Sequence, residues 1–552
     1  MRIMKKYIVL VTLAVICQSG LKAQQNVLPS RSLTIEGAYN PSMTEQGKIM
    51  PVPEKQRNVR ESVAVSYLTE PSAYTDLKRE PMGVFSQTSD SIRQPDYYGL
   101  VRLGYGLRNL SDGLLDFGWH ITESDFLKVS GTMDGWSSKP DDNWRSRMFN
   151  SNIAAEYTHR FNDMLSVGLG SDFGFSRFNY MPGQLLTDAM QAASNLTQNV
   201  NEGSLWGKAD YKVSDDLSIY LKGGGEWLIR SGLNVNGKEP NNKEGIIRIS
   251  AGVDKMLYNG SHLEVGYKQK TKVYSWQGLN GYKYDGFTAF TLSPVWHYGD
   301  ENLRTSLGLN LDIRTNGGNA FLMSPVATLD YNLNERYTLN LGAVGGLEEY
   351  DMRKLARISP YWSEQSSITD GYNVMNLYGG ITFNQGRWLI LSGRMGYRHT
   401  KNEVFQTKSD SLIVTSVLKQ QDADVFYMRF DADMHFSDKT QFKIDLTYSN
   451  YIGSYRGHKM DLKPAFDANA FGRVNIMKGL DAMFSYRFML FHWVMGKSMP
   501  TVNDFSFTVD YDYNDRLSFY TSVKHLMGGD FYYYAGYRSL KPAFMLGASY
   551  RF

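Results

Sequence analysis

The residues equipped for chemistry are present in this chain, but their spacing supports none of the familiar reactions. Nine histidines, His120, His159, His262, His297, His399, His435, His458, His492 and His525, stand singly, and no HExxH-type pair puts two imidazoles on one metal. No GxSxG elbow presents a nucleophile, and no glycine-rich loop with its lysine cradles a phosphate. The single cysteine, Cys17, lies in an N-terminal apolar run, with Ile16 where a lipobox needs a small residue, and reads as an apolar leader residue. The expectation is a non-enzyme without cofactor or metal. What remains is charge placed at every second position, and aromatic clusters such as Phe531–Ser539 and Ser275–Tyr284. Flat rings of this kind can stack on sugars or peptides, but membrane-interface girdles give the same enrichment and are the preferred reading.

The charges take their meaning from the elements that carry them. From Tyr97 onward a period-two pattern recurs, as in Val101, Leu103, Tyr105 and Leu107 against Arg102, Gly104, Gly106 and Arg108. Leu115, Phe117, Trp119 and Ile121 alternate likewise with Asp116, Gly118 and His120, and Phe442, Ile444, Leu446 and Tyr448 with Lys443, Asp445 and Thr447. The chain has 552 residues, 14% aromatics, 37 Tyr and 51 Gly, yet a mean hydropathy of −0.39. No internal stretch approaches the roughly 18 apolar residues of a membrane helix. A long sheet with one greasy face can close on itself, apolar side to lipid and polar side to a lumen, leaving no edge unpaired. A set of soluble sandwiches is the alternative; it predicts Pro- and Ser-rich linkers, and none follows Tyr97.

Arg2, Lys5 and Lys6, then an apolar run from Tyr7 to Ile16, then small and polar residues predict a signal peptide over residues 1–23. Its removal takes away four cations and no acid, so the formal charge falls from +3 to −1 and gives no electrostatic case for nucleic acid. Residues 24–95 lack clean alternation and carry Pro51 and Pro53; they read as an N-terminal arm or partial plug, periplasmic or lumenal, before a barrel over 96–552.

Tight polar turns are predicted near Glu123, Asn162, Asp215, Asn259, Asp300, Asn334, Gln385, Asp438, Gly479 and Asn514. Between them lie longer connections at Trp136–Arg147, Tyr180–Gly203 and Tyr350–Thr369, the second holding a short amphipathic helix through Leu185, Leu186, Ala189, Met190 and Ala193. Short turns on one side and long loops on the other are the asymmetry of an outer-membrane barrel. The turn count implies an all-β transmembrane antiparallel barrel of about 22 strands, within about 18 to 24. Its polar-face charges are the candidate lumen lining: Arg102, Arg108, Asp116, His120, Lys128, Glu156, Lys222, Glu226, Arg248, Glu264, Lys268, Arg394, Arg398, Asp445 and Arg487. Mixed signs suggest internal ion pairs more than an anion filter. A lumen this wide leaks unless something fills it: the arm, inward loops, opposed side chains or a second protein.

The ending Gly547-x-x-Tyr550-x-Phe552 resembles the C-terminal assembly signal of bacterial outer-membrane barrels. Together with the strand count and the leader Tyr39-Asn40-Pro41, Lys48-Ile49 and Pro51-x-Pro53, it is similar to a group of plug-less, TonB-receptor-like outer-membrane proteins of Bacteroidetes. The resemblance implies a bacterial outer-membrane location, contact with lipid, and insertion by the barrel assembly machinery. The arm is far shorter than the plug of a siderophore-type transporter, and no TonB box stands out. Two functional expectations follow: a solute channel or transporter gated by residues 24–95, or a non-conducting scaffold for a periplasmic or lipoprotein partner. In either case Phe544, Leu546, Tyr550 and Phe552 are expected to face lipid, with Met545, Ser549 and Arg551 on the lumen side and the last strand closing on the first near Val101.

Overall fold

The computed structural model describes residues 97–552 apart from 142–143, 188–195, 232–240, 258–259, 276–283, 285, 316–320, 365–367, 387, 411–412, 438, 453–462, 491–492, 495–496, 499, 530, 535 and 540. The signal, arm and leader motif, the core of the amphipathic stretch after Leu186, most of Ser275–Tyr284, and His458 and His492 lie outside the described residues.

Alternating sequence has become one closed wall. The principal sheet has 24 strands; two of them, Met181–Pro182 and Trp362–Glu364, are short additions, leaving 22 antiparallel strands in a closed barrel. The ring closes between Tyr97–Gly106 and Ala543–Arg551, with Val101 opposite Tyr550 and Gly104 opposite Gly547. Gly99 and Phe552 exchange backbone hydrogen bonds of 2.9 and 3.0 Å, which ties down the chain end. Side-chain placement on the last strand follows the alternation: Phe544, Leu546, Tyr550 and Phe552 are exposed outward, whereas Ala543, Met545 and Ser549 are buried on the inward side.

Strands flanking all ten expected tight turns are paired neighbours. The turn chemistry is the same at several of them. Asn162 Oδ1 accepts from the backbone N–H of Met164 and Leu165, and Asp300, Asn334 and Asn514 accept in the same way from residues two and three ahead. A short side chain thereby satisfies the donors that a reversal would leave bare.

Glycines and aromatics are paired across strands. Tyr98, Trp206, Tyr220, Tyr378, Phe484 and Tyr520 lie over Gly118, Gly170, Gly252, Gly342, Gly472 and Gly547, where a Cβ would meet the ring at about 2.2–2.3 Å. A ring can cover the opposite backbone only where no side chain stands there. This accounts for the joint abundance of the two residue types.

An outward apolar belt includes Leu103, Leu307, Met395 and Leu546, all more than half exposed. Such a surface is stable against hydrocarbon and not against water. No helix among the described residues is long and apolar enough to cross a membrane. The chain is therefore a multi-pass β-barrel with a lipid-facing belt, the architecture of outer-membrane barrels, with tight turns at one rim and long connections at the other.

The wall is uneven. Leu517–Lys524 has 8 residues, while Leu389–Asp410 has 22 and Ile413–Ser437 has 25. At about 3.3 Å per residue the short strand measures about 26 Å, and the longest runs about 80 Å along its contour, well beyond the apolar core. Trp136–Arg147, read from sequence as a variable loop, belongs to the projecting hairpin Asp125–Asp141 and Trp144–Arg160. The connection after Tyr180 likewise ends at Thr197, not Gly203.

Candidate functional site

The external mouth is where residues distant in sequence converge. The hairpin of the two longest strands changes register between Thr400 and Glu403, and Asn402 there has a φ of 56°. One bulged position in a left-handed conformation bends a hairpin, and Asn tolerates it at low cost. Two other connections pair with the strand beyond this bend: Met181–Pro182 runs antiparallel to Ile413–Val414, and Trp362–Glu364 runs parallel to Ser416–Leu418. A fourth, between Lys524 and Ala543, sends Tyr537 to the same place. Its hydroxyl donates to Val414 O at 2.7 Å and accepts from Met181 N at 3.1 Å, and its ring stacks on Tyr361 at 3.5 Å.

These four connections share one apolar core of Phe178, Tyr180, Leu355, Tyr361, Trp362, Val414, Leu418 and Tyr537. Arg230 is buried among its rings, 5.1 Å over Trp362, and its guanidinium donates to Tyr180 Oη and to Trp362 O. Each fully buried large apolar side chain contributes about 1.5–3 kcal/mol, so the cap is a folded unit. Phe531, Tyr534 and Tyr537 had been expected in a lipid-interface girdle. Phe531 and Tyr537 are buried and Tyr534 packs against the cap core, because their loop turns over the mouth. Tyr284, at the end of the other aromatic cluster, packs in the same core.

Ion pairs hold the longest described crossing. Residues 349–370 link Tyr337–Glu348 to Gly371–Asn384 yet reach strands four to eight places around the ring. Glu349 takes Lys270 Nζ at 2.6 Å and Arg248 Nη1 at 2.5 Å, and Asp351 takes Arg248 Nη2 at 3.2 Å and Lys270 Nζ at 3.3 Å. Burial pushes both carboxyls up, but Lys270 and Arg248 beside Glu349, and Lys270 and the Lys354 N–H beside Asp351, outweigh it and hold each at about 2. Lys272 meets Asp370 at 2.6 Å with both side chains fully buried. Asp370 also accepts from Tyr350 N at 2.7 Å, so one carboxylate ties the start of the connection to its end.

Between these anchors runs the helix Met352–Ile358. Asp351 caps it by accepting from Lys354 N, and Glu244 of the wall accepts from Met352 N. From the helix, Arg353 reaches Glu202 at 3.1 Å, Asp172 at 3.9 Å and Gly203 O at 2.8 Å.

Strand register sets the charges named as candidate lining on the face away from the apolar belt, except Arg108. That residue falls past the strand end, in a turn at Leu107–Asn109 with a φ of 62°, and its guanidinium donates to Lys541 O and Pro542 O. Arg102 lies 3.7 Å over the Tyr520 ring and 3.5 Å from Asp510. Asp116 stands opposite Leu100, and His120 lies against Phe126. Lys128 faces Glu156, which Lys208 reaches at 2.8 Å. Lys222 covers Trp206 and Arg394 covers Tyr378. Arg248 bridges Glu226 to the crossing segment, and Glu264 lies 3.5 Å from His297. Lys268 stands between Ser250 and Thr291, Arg398 pairs with Glu403, Asp445 faces Asp431, and Arg487 pairs with Asp467. Of these, Glu226 and Arg248 form one site with the mouth segment; most of the rest are paired locally along the wall.

Lys270, Lys272, Glu349, Asp351 and Asp370 were missed in the sequence. One signal was there: Lys268, Lys270 and Lys272 put three cations in a row on one face, which demands partners from elsewhere. Among the described residues no group of His, Cys, Asp and Glu is arranged to hold a metal. A shallow apolar hollow of about 600 Å³, lined by Leu307, Leu341, Met395 and Phe426, opens on the outward face, toward lipid.

No protein-family model and no curated protein matches the sequence. Solved structures do match the fold. The siderophore receptor PirA of Acinetobacter baumannii aligns with a TM-score of 0.65 at 14% identity, over 83% of this chain and 80% of that one. The ferric enterobactin receptor PfeA of Pseudomonas aeruginosa aligns at 0.63 with 12% identity, over 83% and 81%. The copper transporter OprC aligns at 0.62 with 12% identity, over 83% and 80%. The class of protein is thus a barrel of the same architecture as outer-membrane receptors; none of these neighbours is an enzyme. At this identity the likeness is one of fold.

Proposed function

We propose that the protein is an outer-membrane transport barrel in a closed resting state, its external mouth shut by residues 349–370 and the connections packed on them. Residues 24–95 act as a second gate from the periplasmic side, and the inward charges line the solute path. The observation that supports this most is the manner of closure. The crossing segment is fixed at both ends by ion pairs to the wall, which can exchange partners, and the ladder it forms between them at Trp362–Glu364 is only three residues long. The fold shared with siderophore and copper receptors points the same way, as does the costliness of so wide a barrel for a mere anchor. A plug-less, TonB-receptor-like ancestry in Bacteroidetes belongs to this reading as a proposal. So does the role of Gly547, Tyr550 and Phe552 as a signal to the barrel assembly machinery.

The shared apolar core of the cap favours a second reading: a permanently filled barrel that holds a periplasmic or lipoprotein partner. Planar-bilayer conductance separates the two. Full-length protein should conduct little, and variants lacking 352–368 or 24–95 should conduct more. Absence of conductance in all of them, including the double deletion, refutes transport, and a stoichiometric partner retained in mild detergent establishes the scaffold.

A further inference from the structure

The cations that hold residues 349–370 form an anion site that the chain fills with its own carboxylates. Resting on the transport reading, we propose that Arg248, Lys270 and Lys272 bind a soluble polycarboxylate, which enters from outside and replaces Glu349, Asp351 and Asp370.

Arg248 and Lys270 stand directly opposite each other on neighbouring strands, and Lys272 follows two residues on, so the three charges share one inward patch. Their carboxylate contacts are short and shared: Arg248 forks between Glu349 and Asp351, and Lys270 touches the same two groups. Two carboxylates two residues apart on a chain present the same oxygens to a planar guanidinium and an ammonium as one small dicarboxylate does. Among the described residues every carboxylate bonded to Lys270 or Lys272 comes from the crossing segment, as Glu349, Asp351 or Asp370; only Arg248 keeps a wall acid, Glu226.

Opening therefore strands two lysines whose side chains are 4% and 0% exposed when closed. Three like charges left side by side on the wall repel one another, and a multiply charged anion relieves that repulsion. A second observation points to the same spot. Arg314, itself buried, donates to Asp370 O, while its Nε has no partner, nor has Asp370 Oδ2. An unused donor beside three cations suits a ligand with several oxygens better than a single carboxylate. Ligand and segment compete for the same cations, so occupancy favours the open mouth.

Titration calorimetry on full-length protein in nanodiscs, with citrate as probe and acetate at matched ionic strength as control, tests the assignment. Wild-type protein should bind citrate weakly. The Glu349→Gln, Asp351→Asn double variant should bind at least ten-fold more tightly, since the internal competitor is gone, and Arg248→Gln, Lys270→Gln should bind none. Acetate should bind none of them. Citrate affinity unchanged in the double carboxylate variant, with its barrel shown intact by heat-modifiable migration, overturns the proposal, as does equal binding of acetate. A conducting barrel that ignores citrate removes this assignment alone. Citrate binding without conductance in any variant removes transport and leaves the site.

Discussion

Replacing Asp370 with Asn should release the mouth. The carboxylate meets Lys272 Nζ at 2.6 Å and Tyr350 N at 2.7 Å, and neither it nor the ammonium has any exposed side-chain surface. Asn keeps the size and one acceptor, so packing is nearly unchanged while Lys272 is left without its counter-charge. Removing one partner of a buried pair costs about 3–5 kcal/mol. The 22 strands of the wall are paired by their own ladders, so the loss should fall on the closed–open equilibrium and shift it by about two to three and a half decades, at about 1.4 kcal/mol per decade. Trypsin cleavage at Arg353 or Lys354 in membrane-embedded protein reads the open fraction, with bilayer conductance as a second measure. Lys272→Met combined with Asp370→Leu replaces the pair with apolar groups of similar bulk and should restore closure. Wild-type cleavage and conductance in Asp370→Asn, or no recovery in the apolar pair, would refute the view that this ion pair latches the segment.

Tyr537→Ala removes the stacked partner of Tyr361 and the bonds to Val414 O and Met181 N; it should weaken the cap by about 3–5 kcal/mol, seen as faster hydrogen exchange at 361–364 and 413–418 with the mid-wall strands unchanged. Leu546→Arg places a charge on the lipid-facing side of the closing strand and should cost about 2–4 kcal/mol of barrel stability in urea titration in vesicles. Phe552→Asp should lower surface levels through faulty assembly, and normal levels would count against the terminal signal. Glu349 and Asp351 are held at about 2 against ordinary values of 4.5 and 3.8. Depressed acids stabilise closure above their ordinary values and lose it as pH falls through about 2, so pepsin accessibility should rise as the pH is lowered below about 4.

The sequence by itself determined the wall. Alternation set which side chains face out, because a strand turns its side chains over at every residue, and Asn162, Asp300, Asn334 and Asn514 set the reversals, because each bonds backbone only two or three positions away. Closure of the last strand on the first near Val101 was legible too, since the chain's first and last strands must close any barrel that leaves no edge; the register, Val101 to Tyr550, was not. The mouth was decided by tertiary structure alone. Tyr537 reaches Met181 across 356 positions, and Lys270 reaches Asp351 across 81, distances over which local pattern carries no information. Hence tyrosines that read from sequence as an interface girdle, with a stacking platform as the alternative, belong to a buried cap core. Lys272 gave no sign of its partner until the bend at Asn402 and the helix Met352–Ile358 had brought the connections over the lumen.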